Sequence, residues 1–333
     1  MIQLTVCPST LEKGFDTYSP AARRTLFDGR TVSHYLKVPS PSTGSPEAQG
    51  AVQNARRISL SGVQAKYSVI IDEATSSLRY TKEHEQGTYI LKPCPSGYHI
   101  LNRAYCAANE HLTMQIAAQV YGIETAANGL CFYSNDEAAY LTRRFDVHAG
   151  GKYQQEDFAS LMGYTKADGG SEYKYCNGSY EDCSKIIQLY VKAARIDLLR
   201  FFRLVVFNFI SLNDDAHLKN FSLLNQGNEY RLSPAYDLIN TSLHLPAPGI
   251  FALDRGLFKE GMNLSDTHLV GRKDFEEFGK RIGLPQRLIQ RELDNFAEEK
   301  PLAQALIERS FLSEALKRQY KASTAYRRQM LSF

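Results

Sequence analysis

The stretch Ile196 to Leu212 constrains this 333-residue chain more than any other. It is long enough for roughly four to five helical turns, and its charged residues Asp197, Arg200 and Arg203 fall three apart on one narrow stripe. A helix that is apolar on its remaining faces must be surrounded by protein, so the second half of the chain has to be built around it. It is not a membrane span. The apolar run Phe201 to Leu212 is interrupted by Arg203 and Asn208 and is too short to cross a bilayer.

Other segments supply what could surround that helix. Phe275, Phe278 and Ile282, then Ile289, Leu293 and Phe296, recur at helical spacing on either side of Gly283-Leu284-Pro285, which predicts two packing helices. Upstream the pattern changes. Tyr67 to Ile71, Thr88 to Lys92 and Ala138 to Arg144 read as strands, with Pro93 stopping the second. Asn109 to Tyr121 reads as a helix capped by Asn109 and ended by a left-handed Gly122. Residues 1–37 are mixed and poorly periodic, and Pro39 to Pro46 is a loop. Strands dominate before about residue 146 and helices after it, giving an α+β chain of two parts, 1–145 and 146–333.

Composition excludes several classes. Apolar residues make up 43% of the chain, and 39 basic against 36 acidic side chains leave +3, so charge calls for neither nucleic acid nor membrane. Met1 to Pro8 has no basic and apolar leader pattern, which makes the cytoplasm the expected location. The six cysteines show no C-x-x-C and no regular spacing, so they read as reduced thiols rather than a disulfide or zinc framework.

Chemistry concentrates directly after the apolar helix, in Asn213-Asp214-Asp215-Ala216-His217-Leu218-Lys219-Asn220. A hairpin follows: Phe221 to Leu224, a turn at Asn225 to Asn228, then Tyr230 to Leu232. Pairing these strands brings Asn220 back beside Pro234-Ala235-Tyr236-Asp237. Asp215, Asn220 and Asp237 are hard oxygen donors of the kind that hold Mg²⁺ against phosphates. In phosphoryl transfer one Asp orients the attacking hydroxyl, while Asn and a later Asp hold metal. Any one of them alone would be an ordinary cap or turn residue, and His217 alone a structural histidine. The joint spacing is what carries the reading. Lys92, at a strand end, and Glu110, near the next helix start, sit where a kinase places the lysine–glutamate pair that steadies nucleotide phosphates, although a lysine after Ile-Leu is by itself usually only a strand-end side chain reaching solvent. Residues 58–66, with Ser59, Ser61 and Gly62, could turn backbone amides toward phosphate oxygens, but they match neither G-x-G-x-x-G nor a Walker A sequence, and on their residues alone they read first as a plain turn.

Taken together, these motifs resemble the HipA-like kinases of bacterial toxin–antitoxin systems. The residues that carry the resemblance are Ser59-Leu60-Ser61-Gly62-x-Gln64-x-Lys66, Ile90 to Pro93, Asn109-Glu110-His111, Arg143 to Asp146, Gln155-Glu156-Asp157, Asn213 to Asn220 and Pro234-x-Tyr236-Asp237. The resemblance implies a two-lobed, protein-kinase-like fold with a β-rich N-lobe and a helical C-lobe, and a serine/threonine kinase using ATP and Mg²⁺. It implies Asp215 as catalytic base, His217 and Lys219 near the γ-phosphate, and Asn220 and Asp237 on the metal. Ser61, Gly62, Val63, Gln64, Lys92 and Glu110 would serve the phosphates, and backbone near Arg143 and Phe145 the adenine. Ser59 or Ser61 would be autophosphorylated, adding about −1.5 to −2 charges to the loop.

Only 58 residues precede Ser59, which is similar to the short HipT type of three-gene HipBST systems. The implied partners are a HipS-like small protein on the N-lobe and a HipB-like DNA-binding antitoxin, with an aminoacyl-tRNA synthetase as target and no direct nucleic-acid contact. Two other readings stay open at this level: a non-catalytic co-repressor scaffold, and a small-molecule phosphotransferase of the same fold.

Overall fold

Strand alternation in the first half builds an antiparallel sheet in the computed structural model, which describes residues 2–38, 40–41, 65–97, 99–176, 178–262 and 269–333. Strands β1 (Tyr67–Asp72), β2 (Ser77–Tyr80), β3 (Tyr89–Lys92), β4 (Asn128–Phe132) and β5 (Ala138–Arg143) lie in the order β2-β1-β3-β5-β4. Side chains on successive residues point to opposite faces, and both faces are buried. Tyr89, Leu91, Cys131, Ala139 and Leu141 join one core, while Leu130, Phe132 and Tyr140 join the other.

Residues 2–38, which show no periodicity, cover the first of these faces. Helix α1 (Pro20–Phe27) begins with Ser19 accepting from the Ala22 amide and a proline in its first turn, and it buries Leu26 and Phe27. The same segment closes the exposed edge of β4. The Leu130 and Phe132 amides donate to the Pro8 and His34 carbonyls, and the Leu36 amide donates to the Phe132 carbonyl. An unpaired edge is thereby removed.

Helix α2 (Cys106–Gln119) packs on the second face, and every residue from Cys106 to Ala117 is buried. It starts three residues earlier than the sequence pattern predicts. Asn109 is therefore inside the helix and caps nothing. Gly122 does take the expected left-handed conformation, with φ 58°.

Beyond β5 a small hairpin, β6 (Val147–His148) and β7 (Gly151–Lys152), leads into a three-stranded sheet. Its order is β10-β9-β8, with β8 at Gln154–Asp157, β9 at Ser222–Gln226 and β10 at Glu229–Leu232. Gly227 and Asn228 both have positive φ, 62° and 69°, the backbone a two-residue hairpin turn demands. Helices α3 (Tyr180–Tyr190), α4 (Ala194–Ile210), α5 (Arg272–Arg281), α6 (Gln286–Ala297), α7 (Pro301–Arg309) and α8 (Glu314–Gln329) complete the second half.

Helix α4 is the buried helix anticipated from the sequence, and its charged stripe is used internally. Asp197 accepts from the Leu232 amide (2.6 Å) and from Arg200 (2.7 Å), and Arg200 also reaches Glu124 (2.6 Å). Arg203 donates to the Tyr121 carbonyl and pairs with Glu292 on α6. The other faces bury Phe201, Phe202, Val205, Val206 and Phe207, each contributing about 1.5–3 kcal/mol relative to exposure. No helix among the described residues is long and apolar enough to cross a membrane.

Candidate active site

The C-terminus of α4 delivers the loop at 211–220. Asn213 fastens it: its amide donates to the Asn208 carbonyl (2.9 Å) and its Nδ2 to the Asn208 side chain (3.0 Å). Asn213 Oδ1 accepts from the Asp215 amide (3.3 Å), and Nδ2 also lies 3.5 Å from the Asp237 carbonyl. Asn220 Nδ2 donates to the Asp215 carbonyl (2.8 Å). This relay of side-chain amides links Asp215, Asn220 and Asp237 within one loop system. Asp237 itself sits at φ 57°, a left-handed backbone that costs a non-glycine residue about 1–3 kcal/mol and is held only where surroundings over-determine it.

Lys92 ends β3 on the face that meets α2, opposite Tyr140 in register. Its Nζ lies 2.5 Å from Glu110 Oε1 and 2.5 Å from Asp237 Oδ1, while Lys66 Nζ lies 2.8 Å from Asp237 Oδ2. Two ammoniums and two carboxylates thus form a neutral cluster. Burial works against the Lys92 ammonium, but Asp237 and then Glu110 outweigh it and raise its pKa. Burial likewise opposes the Asp237 charge, and Lys66 and Lys92 overcome it, holding the carboxyl far below the usual range. For Glu110 burial prevails over Lys92 and the pKa is raised.

Asn109, one residue before Glu110, reaches across to the segment after Asp237. Its Nδ2 donates to the Asn240 carbonyl (2.8 Å) and its Oδ1 accepts from the Asn240 amide (3.2 Å). On the other side of the loop, Asp215 is half-exposed and accepts from the Tyr175 hydroxyl at 2.5 Å. His217 Nε2 lies 3.9 Å from Asp215, and burial pushes its pKa down to about 4, so the ring is neutral near pH 7. Lys219 pairs with Asp157 at 2.5 Å; partial burial opposes its charge, but Asp157 raises its pKa. The Tyr236 hydroxyl donates to the Lys219 carbonyl (2.9 Å) and meets Ser222 Oγ (2.5 Å), which accepts from Gln155 (3.1 Å).

The Arg143 amide donates to the Ala127 carbonyl (2.8 Å), and its guanidinium pairs with Asp28 (2.6 Å). The Phe145 ring packs against Tyr236, 5.7 Å between centroids. Ser59, Ser61, Gly62, Val63 and Gln64 lie outside the described residues. Sequence reasoning gave no role to Lys66, Tyr175, Asn213 or Asp157. Lys66 and Asp157 stood in quoted motifs and Asn213 opened the loop, but Tyr175, 40 positions from Asp215, carries no spacing signal.

No cluster of three or more His, Cys, Asp or Glu side chains forms a metal cage among the described residues. Mg²⁺ does not require one, because it keeps waters and phosphate oxygens beside one or two protein groups. The donor set fits that habit. Both Asp237 oxygens already face cations, and Asn220, tied down through Nδ2, leaves its Oδ1 as a ligand oxygen.

Comparison with known proteins places the chain in a family. The profile of the HipA-like C-terminal domain family matches residues 58–303. A Haemophilus influenzae protein named "Putative kinase" is 30% identical over 285 residues, which are 79% of this chain and 78% of the relative. Sinorhizobium fredii Y4dM, under the same designation, is 28% identical over 261 residues, 71% of this chain but only 60% of the relative. Among solved structures, the Shewanella oneidensis HipA toxin, in complex with HipB and operator DNA, aligns with TM-score 0.62 and 21% identity, over 83% of this chain and 66% of that one. The folds are therefore alike, a mixed α+β kinase-like architecture. By sequence, the chain belongs to the HipA-like C-terminal domain family.

Proposed function

We propose that the chain is an ATP- and Mg²⁺-dependent serine/threonine protein kinase that acts as the toxin of a toxin–antitoxin system. The observation that carries this reading is the set of Asp215, Asn220 and Asp237, linked through the Asn213 side chain and backbone carbonyls, with Asp237 bonded to the Lys92 of the Lys92–Glu110 pair. Bound Mg²⁺, held by Asp237 and Asn220, supplies charge neutralisation on the triphosphate. The chain's own side chains do the rest. Asp215 orients an acceptor hydroxyl and takes its proton as the new O–P bond forms and the bond to the ADP oxygen breaks. Lys92, fixed by Glu110, is drawn from Asp237 toward phosphate oxygens, and Lys66 offers a second cation there. Neutral His217 and the Asp157-paired Lys219 line the acceptor side. Arg143 and Phe145 mark the hinge between an N-lobe of residues 1–145 and a C-lobe of 146–333.

The finer features rest on the sequence motifs. They comprise autophosphorylation of Ser59 or Ser61, the HipT-like short form with a HipS-like partner, and action in the cytoplasm on an aminoacyl-tRNA synthetase. A HipB-like antitoxin is suggested by the partner of the Shewanella HipA. Incubation with labelled ATP and Mg²⁺ should label the chain or a host protein on serine or threonine, and Asp215→Ala should abolish it. Labelling that survives this substitution sinks the proposal.

A further inference from the structure

Tyr175 is bonded to Asp215, yet nothing in the proposed chemistry uses it. Its hydroxyl donates to Asp215 Oδ1 at 2.5 Å, on a carboxylate that is 49% exposed and so faces an open site. Burial, and then the Asp215 charge, push the phenol's pKa up, which keeps it a donor. The ring stands edge-on to His217 with centroids 4.9 Å apart, and Lys174 Nζ lies 4.8 Å over it. The backbone around it is fastened. The Tyr175 amide donates to the Glu172 carbonyl (2.9 Å), its carbonyl accepts from the Asp254 amide (3.1 Å), and the Lys174 carbonyl accepts from the Leu218 amide in the catalytic loop (3.1 Å).

An acceptor hydroxyl entering a kinase must donate to the base at about 2.6–3.2 Å. A phenol O–H and an aliphatic O–H are donors of the same kind, so the two compete for Asp215 Oδ1. Resting on the kinase reading, we infer that Tyr175 is a stopper: it occupies the acceptor position on Asp215 until a substrate hydroxyl, supported by further contacts, displaces it. Water has no such contacts and does not displace the phenol from Oδ1. The residue thereby decides which hydroxyls reach the phosphate, and it suppresses wasteful ATP hydrolysis without itself being modified.

The test uses the full chain with MgATP and no added acceptor, measuring phosphate release by wild type, Tyr175→Phe and Asp215→Asn. Removing one charge-assisted hydrogen bond should raise release about tenfold in Tyr175→Phe, while Asp215→Asn falls to background. Release by Tyr175→Phe at or below the wild-type rate, with Asp215→Asn inactive, overturns the stopper and makes the phenol an orienting group. Phosphate recovered on Tyr175 by mass spectrometry also overturns it, because the phenol would then be an acceptor. Asp215→Asn as active as wild type refutes the kinase reading instead, so the two failures are distinguishable. If circular dichroism finds Tyr175→Phe misfolded, Tyr175→Leu, which also lacks the hydroxyl, makes the same comparison.

Discussion

Replacing Lys92 by Met strands Glu110. Lys92 and Glu110 are 4% and 5% exposed, so neither is screened by water, and their 2.5 Å contact is the only ion pair Glu110 makes among the described residues. Asp237 keeps Lys66, but Glu110 is left charged against the buried face of α2. Breaking a buried pair in this way costs about 3–5 kcal/mol. The carboxyl can escape by taking a proton, and its pKa is already raised with Lys92 present. A group whose folded pKa lies above its unfolded value adds stability below the unfolded pKa and loses it as pH rises through the folded one. Urea unfolding followed by circular dichroism should therefore give Lys92→Met a small deficit near pH 4 and the full deficit near pH 8. Adding Glu110→Gln should restore most of the loss at the higher pH. Equal deficits at both pH values, or a double variant worse than Lys92→Met, would refute the reasoning.

Phe201 is fully buried among Phe158, Tyr180, Phe221 and Phe278, so Phe201→Ala should cost about 3–5 kcal/mol in the same assay. Asn109→Ala leaves the Asn240 amide without its side-chain acceptor and the Asn240 carbonyl with only the Leu243 amide (3.3 Å), and should cost about 1–3 kcal/mol; nucleotide affinity, read by calorimetry, should fall as well. The Asp146 carboxyl is opposed by burial but lowered by Arg144 and then Lys152 below its ordinary 3.8, so it stabilises the fold above that pH and ceases to as pH falls through its folded pKa. Asp146→Asn should accordingly be less stable than wild type near pH 7, with the gap closing toward pH 3 in acid-unfolding curves.

The sequence exposed what periodicity and joint spacing can carry. The apolar α4, the helices around Phe278 and Leu293, the hairpin after Asn220 and the Lys92 strand all announce themselves because each repeats a local pattern. Strands β2, β4 and β8 did not, being short and either flanked by polar turns or, like Gln154–Asp157, polar throughout. The role of residues 2–38 was illegible for a different reason. Their order comes from backbone bonds to the β4 edge and from Tyr18 donating to the Leu130 carbonyl, contacts 112 or more positions apart in some cases. Helix α2 misled because it is buried all round: the four-residue rhythm of Leu112, Ile116 and Val120 marks a helix but not its start, and Asn109 looked like a cap when it serves a distant backbone. Within the site, the acidic and amide groups were readable from their spacing. Tyr175 and the double use of Asp237 by Lys66 and Lys92 were not, since only folding brings those partners together.

The grip of Asn109 on Asn240 yokes two parts of the site. Glu110 rides on the helix next to one end of that grip, and Asp237 precedes the other end by three residues, so neither can shift far alone. A tilt of the helix that pulls the glutamate from its lysine also drags the acidic turn out of register. The pocket should therefore respond as one unit, so that a substitution at either end is felt at the other.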